Sequence, residues 1–235
     1  MRPIERGDIP LDKEEKEKIY SRYQDARRDL IDRLGQYCSY CETKLNASLA
    51  VEHVIPKDSS PELELKWNNF LLACTNCNST KSAKLIKIDD YFWVDTHNTF
   101  MVFAYLESGI VTINQKLNDL EKIKAANMIA LVGLDKTPNK PDASDRRWQN
   151  RKEVWEIATR TLSNLKIIPN DVRELFISLL IDTAKGHGFW SIWMHIFEEH
   201  EDVKLALIEG FVGTHQACFN KNDYCKPIKR VHNIM

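Results

Sequence analysis

The segment Val51-Glu-His-Val-Ile-Pro-Lys57 lies between two Cys-x-x-Cys pairs, Cys38-Ser-Tyr-Cys41 and Cys74-Thr-Asn-Cys77. Two such pairs complete a tetrahedral four-sulfur site that leaves no coordination position open for a substrate. The interval between the pairs exceeds the about 15 to 20 residues of a common zinc ribbon, which leaves room for a functional insertion. We therefore predict a structural Zn²⁺ bound by four thiolates, against the alternative of four free thiols; its ligands are Cys38, Cys41, Cys74 and Cys77.

Further candidate functional residues lie near the second cysteine pair in a fixed order. Asn69 lies five residues before Cys74, and Asn78-Ser-Thr-Lys81 comes directly after Cys77. In this order the sequence resembles the HNH (ββα-metal) endonuclease family, whose members combine two cysteine pairs with an acidic-His-Ile/Val-x-Pro segment, a middle Asn and a Cys-x-x-Cys-His/Asn-x-x-Lys ending. The resemblance covers residues 37–84 and implies a metal-dependent nuclease.

The chemistry of phosphodiester hydrolysis assigns a role to each residue type. The reaction needs an activated water, a hard cation on the phosphate and relief of charge on the leaving oxygen. We predict that His53 is the general base, oriented by a hydrogen bond from its other ring nitrogen to a backbone carbonyl. Glu52 and Asn78 offer oxygen ligands for a catalytic Mg²⁺ or Mn²⁺. Because neighbours in a regular strand point to opposite faces, Glu52 and His53 can share a site only at a strand end or bulge.

Asn69 and three lysines complete the predicted site. The resemblance implies that Asn69 braces the loop that carries the catalytic base and does not touch the metal. Lys57, Lys81 and Lys84 are expected to contact nucleic-acid phosphates, a form of binding that does not depend on base sequence. The alternative for each lysine is an ordinary solvated surface.

The charge of the chain is balanced, with 33 Lys and Arg against 34 Asp and Glu and a formal net charge of −1. Nucleic-acid enzymes usually show a basic bias, so local clusters or a partner must supply the positive surface. Candidate clusters are Arg146-Arg147, Arg151-Lys152 and the C-terminal cations Lys226, Lys229 and Arg230.

The chain shows no targeting or membrane segment by its composition. Residues 1–18 are too charged for a signal peptide, and the apolar stretch at residues 175–181 is shorter than the about 20 residues of a membrane helix. We therefore expect a cytoplasmic protein, in which six cysteines indicate metal ligation or free thiols before disulfides. Cys218 and Cys225 belong to no pair and are predicted to be simple thiols.

The rest of the chain is predicted to be mostly helical. Apolar periodicity predicts a helix over residues 12–34 that ends at Gly35, and one or two hairpins at residues 91–113. Helices are then predicted at residues 117–134, 143–165, 170–184, 189–200 and 202–218, with Asn139-Lys-Pro-Asp142 as the boundary before the second. The fold class is thus α+β, a zinc-braced ββα module (residues 1–90, with the N-terminal helix) packed against a hairpin and helical part (residues 91–235).

Three aromatic residues of the helical part, Trp190, Trp193 and Phe197, fall on one helical face. Such a face suits base stacking, but a packed core is the favoured interpretation.

The overall plan is similar to the PtuB type of HNH protein, found with retrons and in Septu anti-phage systems. Outside the HNH motif this similarity depends on the helical C-terminal part and a Phe211-Val-Gly-Thr…Cys218-Phe segment. It implies a toxic effector that works with a PtuA-type ATPase and, in retrons, with a reverse transcriptase and its DNA-RNA product.

Two alternatives remain open at the level of sequence. In the first, the zinc knot is a partner-binding module in a subunit that has no nuclease activity of its own. In the second, the chain is a nuclease that acts on RNA, tRNA included, because the motif does not distinguish the 2′-hydroxyl. DNA is the favoured substrate.

Overall fold

Helix α1 (Arg27–Leu34) follows a short 3-10 turn at Tyr23–Ala26 and ends at Gly35. Gly35 has a φ of 77°, a positive value that glycine adopts without a steric penalty. The prediction that this helix begins near residue 12 was wrong. The Asp12 carboxylate accepts hydrogen bonds from the backbone N–H groups two and four residues later, a local turn that competes with helix formation. Ile19 is 95% exposed and therefore does not belong to the buried face of a helix.

The predicted insertion folds into a ββα unit. Strand β1 (Ala50–His53) pairs antiparallel with the fully buried strand β2 (Phe70–Ala73), and helix α2 (Thr75–Lys81) follows directly. The Cys74 sulfur accepts a hydrogen bond from the Cys77 N–H at 3.4 Å and so caps the first turn of this helix. The computed structural model describes residues 1–47, 49–137 and 145–230.

A single hairpin forms within residues 91–113. Strands β3 (Phe103–Tyr105) and β4 (Val111–Ile113) are antiparallel, and Gly109 in the connecting turn has a φ of 78°. A side chain at Gly109 would meet the Trp148 carbonyl oxygen at 2.2 Å, so the turn lies directly against the helix at Arg147–Leu165.

Five helices follow the hairpin in the described chain, and each overlaps a predicted segment, although the third passes its predicted end at residue 184 and the fifth begins before residue 202. They are α3 (Asp119–Val132), α4 (Arg147–Leu165), α5 (Arg173–His187), α6 (Trp190–Ile196) and α7 (Glu201–Gly210). The last ends well before its predicted limit at residue 218. At Gly213 an added Cβ would lie 2.4 Å from the Arg33 carbonyl oxygen, so the chain there passes close against α1. A two-residue pair, β5 (Phe219–Asn220) and β6 (Lys226–Pro227), follows. The boundary predicted at Asn139–Asp142 lies outside the described residues.

The core extends through both parts of the chain. Trp190, Trp193 and Phe197 are all buried, which confirms the interpretation as packing and excludes the stacking surface. Buried residues from the ββα unit and from the helices belong to one hydrophobic cluster. The α+β class with a mostly helical remainder is therefore confirmed, whereas the division at residues 90 and 91 stays a prediction. Among the described helices, none combines the length and the apolar content that crossing a bilayer requires.

Candidate active site and zinc knot

The four cysteines of the two pairs converge on one point. Their sulfur atoms all lie within 4.8 Å of one another, and all four residues are buried. Cys41 Sγ and Cys74 Sγ, one from each pair, are 3.7 Å apart. With metal–sulfur bonds of about 2.3 Å, the sulfurs of a tetrahedral site are separated by about 3.8 Å.

The donor set fits zinc. Four sulfur ligands in tetrahedral reach favour Zn²⁺ over the hard cations that prefer oxygen. Burial raises the pKa of the Cys38 and Cys77 thiols, because charged thiolates are poorly solvated in the interior. A divalent cation reverses this by binding the thiolate form directly. Cys218 and Cys225 are buried free thiols outside the cluster, as predicted.

The structure places His53 at the last residue of β1, where a strand end lets neighbouring side chains reach one cleft. Its Nε2 lies 2.9 Å from the backbone carbonyl oxygen of Glu64. A carbonyl can only accept, so Nε2 carries the proton and the lone pair of the neutral imidazole is on Nδ1. The ring therefore has the tautomer that a general base requires, held by the kind of bond predicted from the sequence.

Two aromatic rings fix the orientation of the His53 imidazole. Tyr23 and Phe70 meet it in edge-to-face geometry, with centroid separations of 4.8 Å and 5.4 Å. Burial lowers the pKa of His53 below its usual range; the hydrogen bond to Glu64 opposes this, and the Lys57 ammonium adds to it. The lowered pKa favours the neutral, proton-accepting form of the imidazole.

Glu52 is 4% exposed, and its Oε1 lies 2.7 Å from the ammonium nitrogen of Lys81. The same ammonium donates to the His53 carbonyl oxygen at 2.6 Å, so Lys81 links both strand-end residues to α2. Burial raises the pKa of the Glu52 carboxyl, and the contact with Lys81 opposes that rise.

Asn69 connects the two ends of the loop between the strands. Its Oδ1 accepts from the Ile55 N–H at 2.8 Å, and its Nδ2 donates to the carbonyl oxygens of Ile55 and Leu63 at 2.9 and 3.2 Å. All three bonds hold the segment that follows His53 and leads to the Glu64 carbonyl. The contacts are those of a brace for this loop.

Glu52, His53 and Asn78 line one open cleft between the end of β1 and α2, and Lys57 and Lys81 also line it. The cleft brings together the Glu52 carboxylate, the His53 imidazole and the Asn78 amide, a second carboxylate, Asp58, also lines it, and it is reached from solvent. An oxygen-preferring cation such as Mg²⁺ or Mn²⁺ fits the carboxylate and amide donors, and Mg²⁺ in particular retains waters and accepts substrate oxygen as further ligands.

The predicted phosphate contacts divide into three cases. Lys81 is 1% exposed, so its assignment to a phosphate-facing surface was wrong; its ammonium is engaged within the protein. Lys84 is exposed and lies just beyond the end of α2, so its contact with phosphate stays a prediction. Lys57 is half-buried at the cleft, bonded to Glu64 Oε1 at 3.0 Å, with its ammonium 5.0 Å from the centre of the Tyr23 ring.

The basic clusters in α4 are also corrected in part. Arg147 and Arg151 are 5% and 1% exposed, so neither presents its guanidinium to a nucleic acid. Lys226 and Lys229 are exposed, as a phosphate contact requires.

The mutual burial of Lys81 and Glu52 predicts unequal effects of two lysine substitutions. Removing one partner of a buried ion pair costs about 3 to 5 kcal/mol, because the other charge stays buried and uncompensated. We expect Lys81→Met to lower the free energy of unfolding in urea by about that amount. Lys84→Met, at an exposed position, should change it by less than about 0.5 kcal/mol. Equal, small effects of both substitutions would show that the pair does not form.

Sequence reasoning missed two contributors to the site. The Glu64 carbonyl that orients His53 is a backbone group, and no side-chain pattern marks it. Tyr23 lies in the segment for which the sequence predicted only a helix, and its contact with His53 depends on how α1 and the preceding turn pack on the strands.

Comparison with known proteins agrees with this geometry. Residues 38–84 match the HNH endonuclease family. The chain is also 38% identical over 86 residues to Septu protein PtuB of Bacillus thuringiensis, a match that covers 34% of this chain and 34% of that protein. The match to PtuB thus spans about a third of that protein's length. The family match includes the two cysteine pairs and the three candidate site residues Glu52, His53 and Asn78. The chain therefore contains an HNH endonuclease domain and is similar, over that third, to Septu PtuB.

Proposed function

We propose that this chain is a metal-dependent endonuclease that hydrolyses nucleic-acid phosphodiesters, with DNA as the favoured substrate. The convergence of Glu52, His53 and Asn78 on one solvent-reached cleft carries the proposal. A partner-binding role alone would not require a neutral histidine held in one tautomer beside a carboxylate.

The residues divide the work of hydrolysis among them. His53 accepts a proton from the attacking water at Nδ1, because Nε2 is engaged by the Glu64 carbonyl. Glu52 and Asn78 would bind the catalytic Mg²⁺ or Mn²⁺, which would supply Lewis-acid stabilisation of the phosphate charge. Asn69 holds the loop that keeps the Glu64 carbonyl in place. Lys57 contacts a neighbouring phosphate from the rim of the cleft.

The four-cysteine cluster binds a structural Zn²⁺ in this proposal. It fixes the start of α2 against β2, and with it the distance between Asn78 and the end of β1. The zinc takes no part in the reaction, because four protein ligands leave it no open position.

The similarity to Septu PtuB supports a biological setting. We place the chain as the nuclease effector of an anti-phage complex, with a PtuA-type ATPase as partner and, in a retron setting, a reverse transcriptase with its DNA-RNA product. Such a partner would supply the positive surface that a chain with a net charge of −1 lacks.

The test is cleavage of supercoiled plasmid DNA and total RNA by the full chain, alone and with its ATPase partner, across a titration of Mg²⁺. We expect DNA cleavage that EDTA abolishes, and a rise of about tenfold or more in the Mg²⁺ needed by Glu52→Gln, since the charge of the ligands sets cation affinity. Glu62→Gln, at an exposed position of the same loop, is the matched control and should behave as wild type.

Three results would count against this assignment. Cleavage of RNA but not of DNA would show that RNA is the substrate, and cleavage unaffected by EDTA would exclude a cation-dependent site. Absence of cleavage under every condition, with both variants folded, would favour the partner-binding module.

A further inference from the structure

The proposed zinc site carries a surplus of negative charge. Four thiolates around one divalent cation leave two negative charges, and all four cysteines are buried. Buried charge is costly unless a nearby group of opposite sign compensates it. The source of that compensation lies outside the HNH segment.

Arg147, at the start of α4, reaches the cluster from the helical part of the chain. Its Nη1 donates to Cys77 Sγ at 2.9 Å, and the arginine is 5% exposed. The contact is thus a charge-assisted hydrogen bond to a metal ligand.

The guanidinium is held in place on its other edges. Nη1 also donates to the Val132 carbonyl oxygen at 2.9 Å, and Nη2 donates to the Gly133 carbonyl oxygen at 2.7 Å, both at the end of α3. The Asp145 carboxylate accepts from Nε at 2.9 Å. An arginine that only capped α3 would not need to point an N–H at sulfur, so the direction towards Cys77 is an additional feature.

A second buried arginine lies one helical turn further along α4. Arg151 is 1% exposed, and its Nε donates to the Gly109 carbonyl oxygen at 2.6 Å. Burial lowers the pKa of Arg151, and the Cys41 thiol opposes this. Both arginines place positive charge on the side of α4 that meets the cluster.

We propose that Arg147 is the positioning residue and counter-charge of the zinc site, and that through it α3 and α4 retain the metal. We infer this on the basis of the proposed zinc site. The hydrogen bond holds the Cys77 sulfur in position as a zinc ligand. It also connects helices α3 and α4 to the zinc site, so that the nuclease module and the helices stabilise each other.

The experiment compares zinc release from the full chain to a chromogenic chelator. Arg147→Met should release zinc about tenfold faster than Arg2→Met, because losing an outer-shell partner typically costs 10- to 100-fold in metal affinity. Arg2 is the matched control, a buried arginine whose side chain donates to oxygen atoms of Leu34, Phe211, Val212 and Thr214. Arg147→Lys should release zinc at an intermediate rate, since it keeps the charge but not the planar fork.

A spectroscopic readout separates the sulfur contact from general destabilisation. With Co²⁺ in place of zinc, Arg147→Met should shift the sulfur-to-cobalt charge-transfer band, and Arg2→Met should not. If Arg147→Met does not fold, Arg147→Lys and Arg2→Lys provide the same comparison.

Two outcomes would overturn the inference, and they are distinguishable. If the wild-type chain purifies without zinc, the zinc site itself fails. If the wild type holds one zinc but the Arg147 and Arg2 variants release it equally fast with unchanged cobalt spectra, only the role of Arg147 fails.

Discussion

His53→Ala is expected to reduce the rate of DNA cleavage by about 10² to 10⁴-fold, the range that a positioned general base contributes. The imidazole is the group in the cleft whose free nitrogen has the correct tautomer, because Nε2 is bonded to the Glu64 carbonyl oxygen. Alanine removes that base and leaves Glu52 and Asn78 in place. The measurement is single-turnover cleavage of plasmid DNA at saturating Mg²⁺.

The control for this substitution is His195→Ala. His195 is an exposed residue of α6 whose ring lies 5.4 Å from that of Trp155, well separated in the chain from the HNH segment. It should cleave at the wild-type rate. Retention of activity by a folded His53→Ala protein would remove the assignment of the base and leave the cleft without a known proton acceptor.

Cys74→Ser is expected to abolish zinc binding and to lower the thermal unfolding midpoint by more than about 10 °C. Structural zinc contributes about 10 to 16 kcal/mol of apparent binding free energy in small zinc domains. In a chain of this size each kcal/mol is worth about 2 to 4 °C. Cys74 occupies the junction of β2 and α2 and caps that helix through its sulfur, so its loss also releases Asn78 from the cleft.

The comparison variant is Cys218→Ala. Cys218 is as buried as the cluster cysteines but lies outside it, and its replacement should leave one zinc bound per chain. Metal content by mass spectrometry and the midpoint by calorimetry are the two measurements. A Cys74→Ser protein that keeps both its zinc and its midpoint would show that the four sulfurs do not form the site.

The chemistry of the site was predictable where it depends on short spacing. Two cysteines separated by two residues converge whatever surrounds them, and the adjacency of Glu52 and His53 required a strand end, which β1 provides. The five-residue offset from Asn69 to Cys74 likewise selected the residue that braces the loop. The helices after residue 116 were predicted near their observed positions, although the last ends at Gly210 and not at residue 218.

What could not be predicted depends on contacts between distant segments. Lys81 looks in sequence like a surface cation of a basic helix, and only the packing of α2 on β1 buries it against Glu52. Arg147 is separated from Cys77 by 70 positions, so no local pattern connects the two. The predicted N-terminal helix was too long because apolar periodicity does not reveal the competing turn that the Asp12 carboxylate makes with the backbone.

Anomalous diffraction from crystals of the zinc-loaded protein with Mn²⁺ and a DNA duplex would locate the catalytic cation. We expect a manganese peak bound by the side-chain oxygens of Glu52 and Asn78, on the side of the cleft that His53 Nδ1 faces. A peak that none of these three side chains reaches, or a cleft that takes up no manganese while DNA is cleaved, would contradict the shared site.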